Sequence, residues 1–409
     1  MSEEATCRSC RRPGLRRFLD LGSTPLADRL LSVERLARPE PVFPLEVAFC
    51  PSCSLVQILE EVPPEQLFAD EYPYYSSFSD ALLRHSRDNA LGLLASRRLG
   101  PDSLVVELAS NDGYLLTNFV EHGVPVLGID PAEGPAAAAE ARGVPTLVEF
   151  WGEALAAKLR AEGRRADVII ANNVMAHVPD LNGFVAGVRT LIADDGIISI
   201  ENPYVRDLID HCEFDTVYHE HHCYFSCTAV DALMRRNGLY LNDVVYFPDL
   251  HGGTLRWICG PREEVSATAR AYLDAERDGG LTGFGYYEAF SGRVEQLRDD
   301  LLAVIRDLKA QGRSIAAYGA AAKGATLVNY VGLGTDVIDF VVDRNIHKHG
   351  RFMPGVRLPI LPVEALLERR PDVVLVLAWN FATEIMAQQA EYAARGGRFL
   401  IPVPSPRMV

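Results

Sequence analysis

The sequence predicts an α/β protein: two Rossmann-like, doubly wound sheets in series, with a small cysteine-bearing module in front of them. Three observations carry this. Two Cys-x2-Cys pairs stand near the start, Cys7/Cys10 and Cys50/Cys53. Strand-like and helix-like segments alternate from residue 102 onward, the pattern of a parallel sheet covered by helices. A helical stretch over residues 263–312 then gives way to a second, smaller alternation.

At ~100–200 residues per domain, a chain of 409 residues holds several domains. Hydrophobic content of 48% and charged content of 23% suit a globular enzyme and exclude a disordered chain. No run approaches the ~20 apolar residues of a membrane span. The start, MSEEATCRSCRR, lacks the apolar centre of a signal peptide, so a cytoplasmic location and no membrane partner are expected. A net charge of −15 argues against a nucleic-acid partner. In a reducing compartment the eight cysteines read as metal ligands or small core residues rather than disulfides.

The two knuckles can set four thiolates tetrahedrally around one Zn²⁺, and with all four positions filled such a site is structural. Residues 11–49 separate them, more than the common spacing, so an insertion must be looped out in between. A nucleic-acid-binding ribbon is the alternative, supported by Arg8, Arg11, Arg12, Arg16 and Arg17 and opposed by the acidic remainder. After the module, EEVPPEQLFADEYPYYSSFSDAL concentrates Tyr72, Tyr74, Tyr75 and Phe78. That is either a packing seam or a lid whose tyrosines reach into a neighbouring cleft.

In the first α/β unit SLVVELA reads as a buried strand, SNDG as a turn and YLLTNFVEHG as a helix start. VPVLGIDP, PTLVEF, ADVIIANNV and GIISIENP supply further strands, with an alanine-rich helix and FVAGVRTLIA between them. LYLNDVVYFPDL and TLRWICG, joined through HGG, read as an antiparallel edge. Open sheets bind ligands at the carboxyl ends of their strands. Glu107 to Tyr114 forms such an end, and Asp130 closes the next strand, where it can accept ribose hydroxyls. Ala109 and Asn111 stand where a dinucleotide fingerprint would carry glycines, which disfavours a pyrophosphate. An adenosine ligand without phosphates, S-adenosylmethionine, suits the turn better, with Gly113, Asn172 and Asn173 completing its contacts.

The densest chemistry is EFDTVYHEHHCYFS, which packs Tyr218, His219, Glu220, His221 and His222 together with Tyr224 close behind. Such crowding supplies a base and a proton-handling partner. A metal site and a merely structural cluster are the alternatives, though the H-E-x-x-H spacing is absent. His177, in NNVMAHVPD, would project into the same cleft; His251, in HGG, is a weaker candidate. In the second α/β unit Lys323 sits in a Gly/Ala-rich turn after a strand, a reasonable pyrophosphate contact. Lys348, His349 and Arg351 make a second basic patch near Asp343, and Asn380 ends the strand in LAWNF.

Taken together, the cysteine pairs, ELASNDGYLL, ANNVMAHVPD, YHEHHCYFS, HGGTLRW and GAAAKGATLVNY followed by DRNIHKHGRFMPG resemble the S-adenosylmethionine-dependent sugar C-methyltransferases of deoxysugar biosynthesis, along essentially the whole chain. The resemblance implies a zinc-binding domain over 1–72, a class I methyltransferase domain over 73–262 and a nucleotide-sugar-binding domain over 263–409. It implies methylation at carbon 3 of a dTDP-4-keto-6-deoxyhexose. His221 would be the general base, Tyr218 and Glu220 would orient it and the sugar, His177 would flank it, and Tyr72 or Tyr75 would reach in from the linker. S-adenosylmethionine would lie on Glu107, Ala109, Asn111, Gly113, Tyr114, Asp130, Asn172 and Asn173. The substrate would meet Tyr224, Lys323, Asn329, Lys348 and Asn380, and a monomer is expected. Two other readings stand beside it: an O-methyltransferase, and a non-catalytic zinc and nucleotide-sugar binder.

Overall fold

The computed structural model describes residues 5–62, 76–78, 80–250 and 252–409; Tyr72, Tyr75 and His251 lie outside them. Both cysteine knuckles fold in the same way. The Cys7 amide donates to the Arg12 carbonyl and the Arg11 amide to the Cys7 carbonyl, while Cys50 pairs with Leu55 and Ser54 with Cys50 identically. Arg11 and Ser54, the residues after each second cysteine, take left-handed backbones with φ of 61° and 60°. These turns aim all four sulfurs inward, within 4.8 Å of one another.

The residues between the knuckles are not a featureless loop. They form β1 (Arg16–Pro25) and β2 (Val42–Phe49), and the second knuckle is the turn from β2 into β3 (Val56–Ile58). The connection between β1 and β2 crosses to the far end of the chain, where Leu31 exchanges backbone hydrogen bonds with Phe352.

The central sheet contains β4 (Val105–Leu108), β5 (Val126–Ile129), β6 (Thr146–Leu147), β7 (Ala166–Asn172) and β8 (Ile192–Pro203), all parallel. The segment that follows holds a two-residue strand, β9 (Cys223–Tyr224), before β10 (Tyr240–Phe247) and β11 (Thr254–Gly260) return antiparallel onto β8. The order is β10-β11-β8-β7-β4-β5-β6, so the strand order reverses at β4. Ligands of open α/β sheets lie at that switch point. The expected helix at YLLTNFVEHG shrinks to Thr117–Val120, because the chain around Gly113 closes tight i→i+3 turns instead.

β9 does not join this sheet. It pairs with β3, Val56 opposite Tyr224 and Gln57 opposite Cys223, giving a four-stranded sheet ordered β1-β2-β3-β9. The histidine-rich segment is thus chain of the central unit completing the sheet of the N-terminal module.

Helices Ala267–Asp278 and Phe290–Ala310 bridge to the third unit. The longer one buries Phe290, Val294, Leu297, Leu301 and Ile305, spaced at helical intervals. Tyr287 just before it stacks on Phe49, with ring centroids 4.7 Å apart, and touches Phe18, which seats the N-terminal module. The third sheet comprises β12 (Ile315–Tyr318), β13 (Val341–Val342), β14 (Ile360–Leu361), β15 (Val373–Val376), β16 (Arg398–Ile401) and β17 (Arg407–Met408). Its order is β14-β13-β12-β15-β16-β17, parallel except for β17. No described helix is long and apolar enough to cross a membrane.

Structural zinc releases ~10–16 kcal/mol on binding, most of it spent on folding the site. Since the module's sheet holds β9, removing zinc by chelation or Cys50→Ser is expected to abolish methyl transfer in step with metal content. Metal analysis alongside an activity assay checks this; full activity in zinc-free protein would show that β9 keeps its place without the metal.

Candidate active site

The first cluster lies at the carboxyl ends of β4, β5 and β7. Ala109 and Asn111 hold left-handed backbones, φ 55° and 49°, which cost a non-glycine residue ~1 kcal/mol or more. Gly113 shares that conformation, and a Cβ there would stand 3.1 Å from both Ala139 and Val144, so only glycine fits. The turn is held by Asp130: one carboxylate oxygen accepts from the Asn111 amide at 2.8 Å, the other from the Ala132 amide at 2.9 Å. Each oxygen keeps a second lone pair for a ligand hydroxyl.

Around this turn the site is rich in acceptors. Glu107 is buried, its Oε2 has no hydrogen-bond partner, and burial together with Asp130, Asp112 and Glu201 pushes its carboxyl well above the usual range. The Asn172 Oδ1 is likewise buried and unpartnered. Asn173 has φ 56°, and its amide donates to the Glu201 carbonyl. Tyr114 faces away into an apolar cluster with Leu115, Val124 and Ala139. S-adenosylmethionine brings an ammonium group, two ribose hydroxyls, an adenine amine and a positive sulfur. Unsatisfied acceptors and carboxyls fit those groups, while the same carboxyls repel a pyrophosphate.

The wall beside it was not foreseen. Glu201, at the end of β8, bonds His85 at 2.8 Å and shares Oε1 between two nitrogens of Arg256. Burial works to raise its carboxyl, but His85 and Arg256 outweigh that and hold it below the ordinary value. The triad ties helix Asp80–Arg97 to the sheet.

The second cluster is the histidine-rich segment. His221 Nδ1 lies 3.0 Å from the Thr216 carbonyl, which can only accept, so Nδ1 carries the proton and Nε2 presents a lone pair. The Tyr218 hydroxyl donates to that lone pair at 2.6 Å. His177 stands edge-on to His221 at 4.7 Å between ring centroids, and Tyr224 lies 6.3 Å away. Burial, His177 and Lys323 push the His221 imidazole well below its usual pKa, and burial brings His177 down to about 4. Both rings are therefore neutral near pH 7.

The neighbouring histidines do other work. His219 donates to the Pro44 carbonyl at 3.0 Å. The His222 amide bonds the Ala176 carbonyl, and its own carbonyl accepts from Ile58. Among the described residues the four cysteines are the metal-ligating set. Contact distances of 3.5 Å for Cys7–Cys53 and 3.6 Å for Cys10–Cys50 approach the ~3.8 Å that Zn–S bonds of ~2.3 Å imply in a tetrahedron.

Glu220 departs from its expected role. It does not orient His221, whose Nδ1 is occupied by Thr216; it sits instead beside Asp28 of the N-terminal module. Burial and the Asp28 charge push its carboxyl up to about 8. Asp28 keeps accessible surface on the cleft, yet dense surrounding protein raises its carboxyl too, against the pull of Lys348.

The third unit closes the cleft. Helix Ala322–Val331 packs on the 214–217 turn, with Thr326 Oγ1 donating to the Val217 carbonyl at 3.2 Å. Lys323 Nζ lies 4.8 Å from the centre of the Trp379 ring, and Trp379 Nε1 donates to Asp215 at 2.6 Å. Burial raises Asp215 to about 6 and Glu213 to about 8, opposed in both by Lys323. Lys348 is also engaged: Nζ donates to the Ala320 carbonyl at 2.8 Å and faces Asp343 at 3.8 Å. Asn329 differs from expectation, since its amide nitrogen is spent on the Ala325 and Pro354 carbonyls. Asn380 is half-buried next to Trp379.

A class I methyltransferase domain, a structural zinc module and a neutral histidine cluster at the cleft together define an S-adenosylmethionine-dependent methyltransferase. The chain belongs to the C-methyltransferase family. Family models match as a zinc binding domain over residues 7–68, a methyltransferase domain over 80–244 and a C-methyltransferase C-terminal domain over 249–404. The C-methyltransferase NovU of Streptomyces niveus is 35% identical over 408 residues, covering 98% of this chain and 96% of that one. Among solved structures, a magnesium protoporphyrin IX methyltransferase from Synechocystis PCC 6803 is 14% identical over 43% of this chain and 81% of its own, with a TM-score of 0.35. A methyltransferase from Clostridium acetobutylicum is 11% identical over 44% and 91%, with a TM-score of 0.36.

A raised carboxyl has a definite pH signature. Between its unfolded value near 4.5 and about 8, Glu220 binds more protons in the folded state, so its contribution to stability is full below that window and is lost as pH rises through it. Urea midpoints of the wild type are expected to fall from pH 5.5 to pH 8.5, and less so for Glu220→Gln, by a difference of ~1 kcal/mol or more. Parallel pH profiles for the two proteins would show that Glu220 is ionised throughout.

Proposed function

We propose that the protein methylates carbon 3 of a dTDP-linked 4-keto-6-deoxy sugar, with His221 as general base. The observation that carries this is the His221–Tyr218 pair: a neutral imidazole, its tautomer fixed by Thr216, with its lone pair held by a phenol. A hydrogen next to a ketone is removable because the electron pair passes onto the carbonyl oxygen as an enolate. His221 Nε2 takes that hydrogen as the Tyr218 hydroxyl turns to donate to the carbon-4 oxygen, meeting charge where it develops. The Thr216 carbonyl then stabilises the imidazolium, and His177 keeps the ring in place from its edge. The proton on His221 leaves to solvent after transfer.

S-adenosylmethionine supplies the electrophilic methyl group. Glu107, Asn111, Asp130, Asn172 and Asn173 would hold it by its amine and hydroxyl donors, while Tyr114, turned into the core, supports the turn from behind. Tyr224 would line the sugar cleft. We place the domain boundaries at 72/73 and 262/263; the pairing of β11 with β8 favours the second, since it keeps the central sheet whole. The relationship to NovU, itself described as a C-methyltransferase, supports carbon over oxygen as the acceptor.

The test is methyl transfer, read by mass spectrometry, to a panel of dTDP-4-keto-6-deoxyhexoses and their 4-hydroxy counterparts. Only the ketones should be methylated. His221→Asn should lose ~10²–10⁴-fold in turnover with ligand binding retained. Methylation of the 4-hydroxy sugars, or an active His221→Asn enzyme, would contradict this reading. Because His221 lies well below its ordinary value, the acid limb of the pH–rate profile should fall below ~6.5.

A further inference from the structure

Glu220 and Asp28 stand beside the reacting groups, yet no step of the proposed chemistry uses them. Glu220 precedes the base, and its backbone carbonyl accepts from the ring of His177, which lies 4.7 Å from His221 between centroids. Its side chain is 7% exposed, and among the described residues its Oε2 has no hydrogen-bond partner. A buried acceptor left unmet is destabilising, so a donor from a ligand is what completes it. Asp28 arrives from the other side. It follows β1 in the N-terminal module, on a stretch anchored by the buried Leu26 and Ala27. The Arg29 amide turns back to the Leu26 carbonyl and the Leu30 amide to that of Asp28. The Asp28 backbone amide donates to the Glu220 carboxylate, which fixes the residue at the cluster. Its own side chain keeps accessible surface although protein surrounds it densely and Lys348 of the third unit stands near. A side chain so enclosed and still accessible faces an internal space, not the exterior.

We infer that Asp28 is a specificity-determining residue which, with Glu220, receives the hydroxyls at carbons 2 and 3 of the sugar, an inference that rests on the proposed substrate class. With carbon 3 at His221 and the carbon-4 oxygen at Tyr218, these hydroxyls are the donors nearest the reacting carbon that the mechanism leaves unmet. A hydroxyl both donates and accepts, and two neighbouring carboxyls that share a proton offer it an acceptor and a donor. Burial and proximity favour that shared state, since both raise the Glu220 carboxyl. Discrimination follows from the same chemistry. A site built to hydrogen-bond a hydroxyl rejects the analogue lacking it, because its buried polar groups are then left without partners. A 4-keto-6-deoxyhexose that keeps its carbon-2 hydroxyl is therefore preferred to the 2-deoxy sugar. The N-terminal module does more than hold β9: through Asp28 it supplies one wall of the sugar site.

The experiment compares kcat/KM for methyl transfer to dTDP-4-keto-6-deoxyglucose and to its 2-deoxy counterpart, using the full zinc-loaded chain and S-adenosylmethionine. The wild type should favour the hydroxylated sugar by ~10²-fold or more. In Asp28→Ala that ratio should fall at least about tenfold, with most of the change in KM for the hydroxylated sugar. Asp28→Asn, which keeps an acceptor oxygen, should lie between the two. A merely structural role would lower kcat/KM for both sugars alike and leave the ratio where it was. Zinc content and urea midpoint identify a variant that fails to fold, and if Asp28→Ala is one, the Asp28→Asn ratio decides alone. A ratio unchanged in the folded variants, or a wild type that takes the 2-deoxy sugar as readily, would overturn the role of Asp28 while leaving the substrate class intact. If the wild type methylates neither sugar, the substrate reading itself falls, and this inference with it.

Discussion

Everything at the reaction centre depends on one short strand pairing. β9, two residues long, leaves the central unit and completes the N-terminal sheet by bonding to β3. Tyr218, Glu220 and His221 precede it directly, while His222 bonds the two units at once through its amide and carbonyl. A strand of that length has no stability of its own. Its place is set by β3, and β3 is set by the knuckle that ends β2. The zinc site thereby sets where His221 stands.

Charge follows a consistent logic on the two sides of the cleft. The cofactor side collects acceptors and carboxyls, Glu107, Asp130 and Asn172, which suit a cationic, donor-rich ligand. At the centre the histidines are neutral, because burial and mutual proximity disfavour their charged forms. His221 is therefore free to accept a proton near neutrality, and in the proposed reaction its weak basicity would be offset by the acidity of a hydrogen beside a ketone. Asp130 and Asp343 show that the two α/β units solve one local problem identically. Each aspartate follows the second strand and takes two backbone amides, one from the turn after the first strand and one two residues further on.

Much of this was legible in the residues. The knuckles announced themselves by spacing, and buried strands such as ADVIIANNV by continuous apolar runs bounded by small polar residues. Asp130 stood out by its place after VLGI, and the 290–310 helix by its apolar period. Other features left no local mark. The Thr216 carbonyl that fixes the His221 tautomer is backbone, and any residue type supplies one. Asp28 meets Glu220 only because two distant segments share a sheet. β13 and β14, at two residues each, are too short for periodicity to register. Glu220 differs from expectation for a related reason: it lies in the turn before β9, and the residue beside it, Asp28, comes from the β1–β2 connection.

The most direct test of the central claim follows the hydrogen that must be removed. A dTDP-4-keto-6-deoxy sugar deuterated at carbon 3 would be given to the enzyme with S-adenosylmethionine and the methylated product weighed. The expected result is a product that has lost its deuterium, formed more slowly than from the unlabelled sugar, with His221→Asn leaving the recovered substrate still deuterated. A methylated product that keeps the deuterium at carbon 3 would contradict carbon-acid chemistry at the His221–Tyr218 pair.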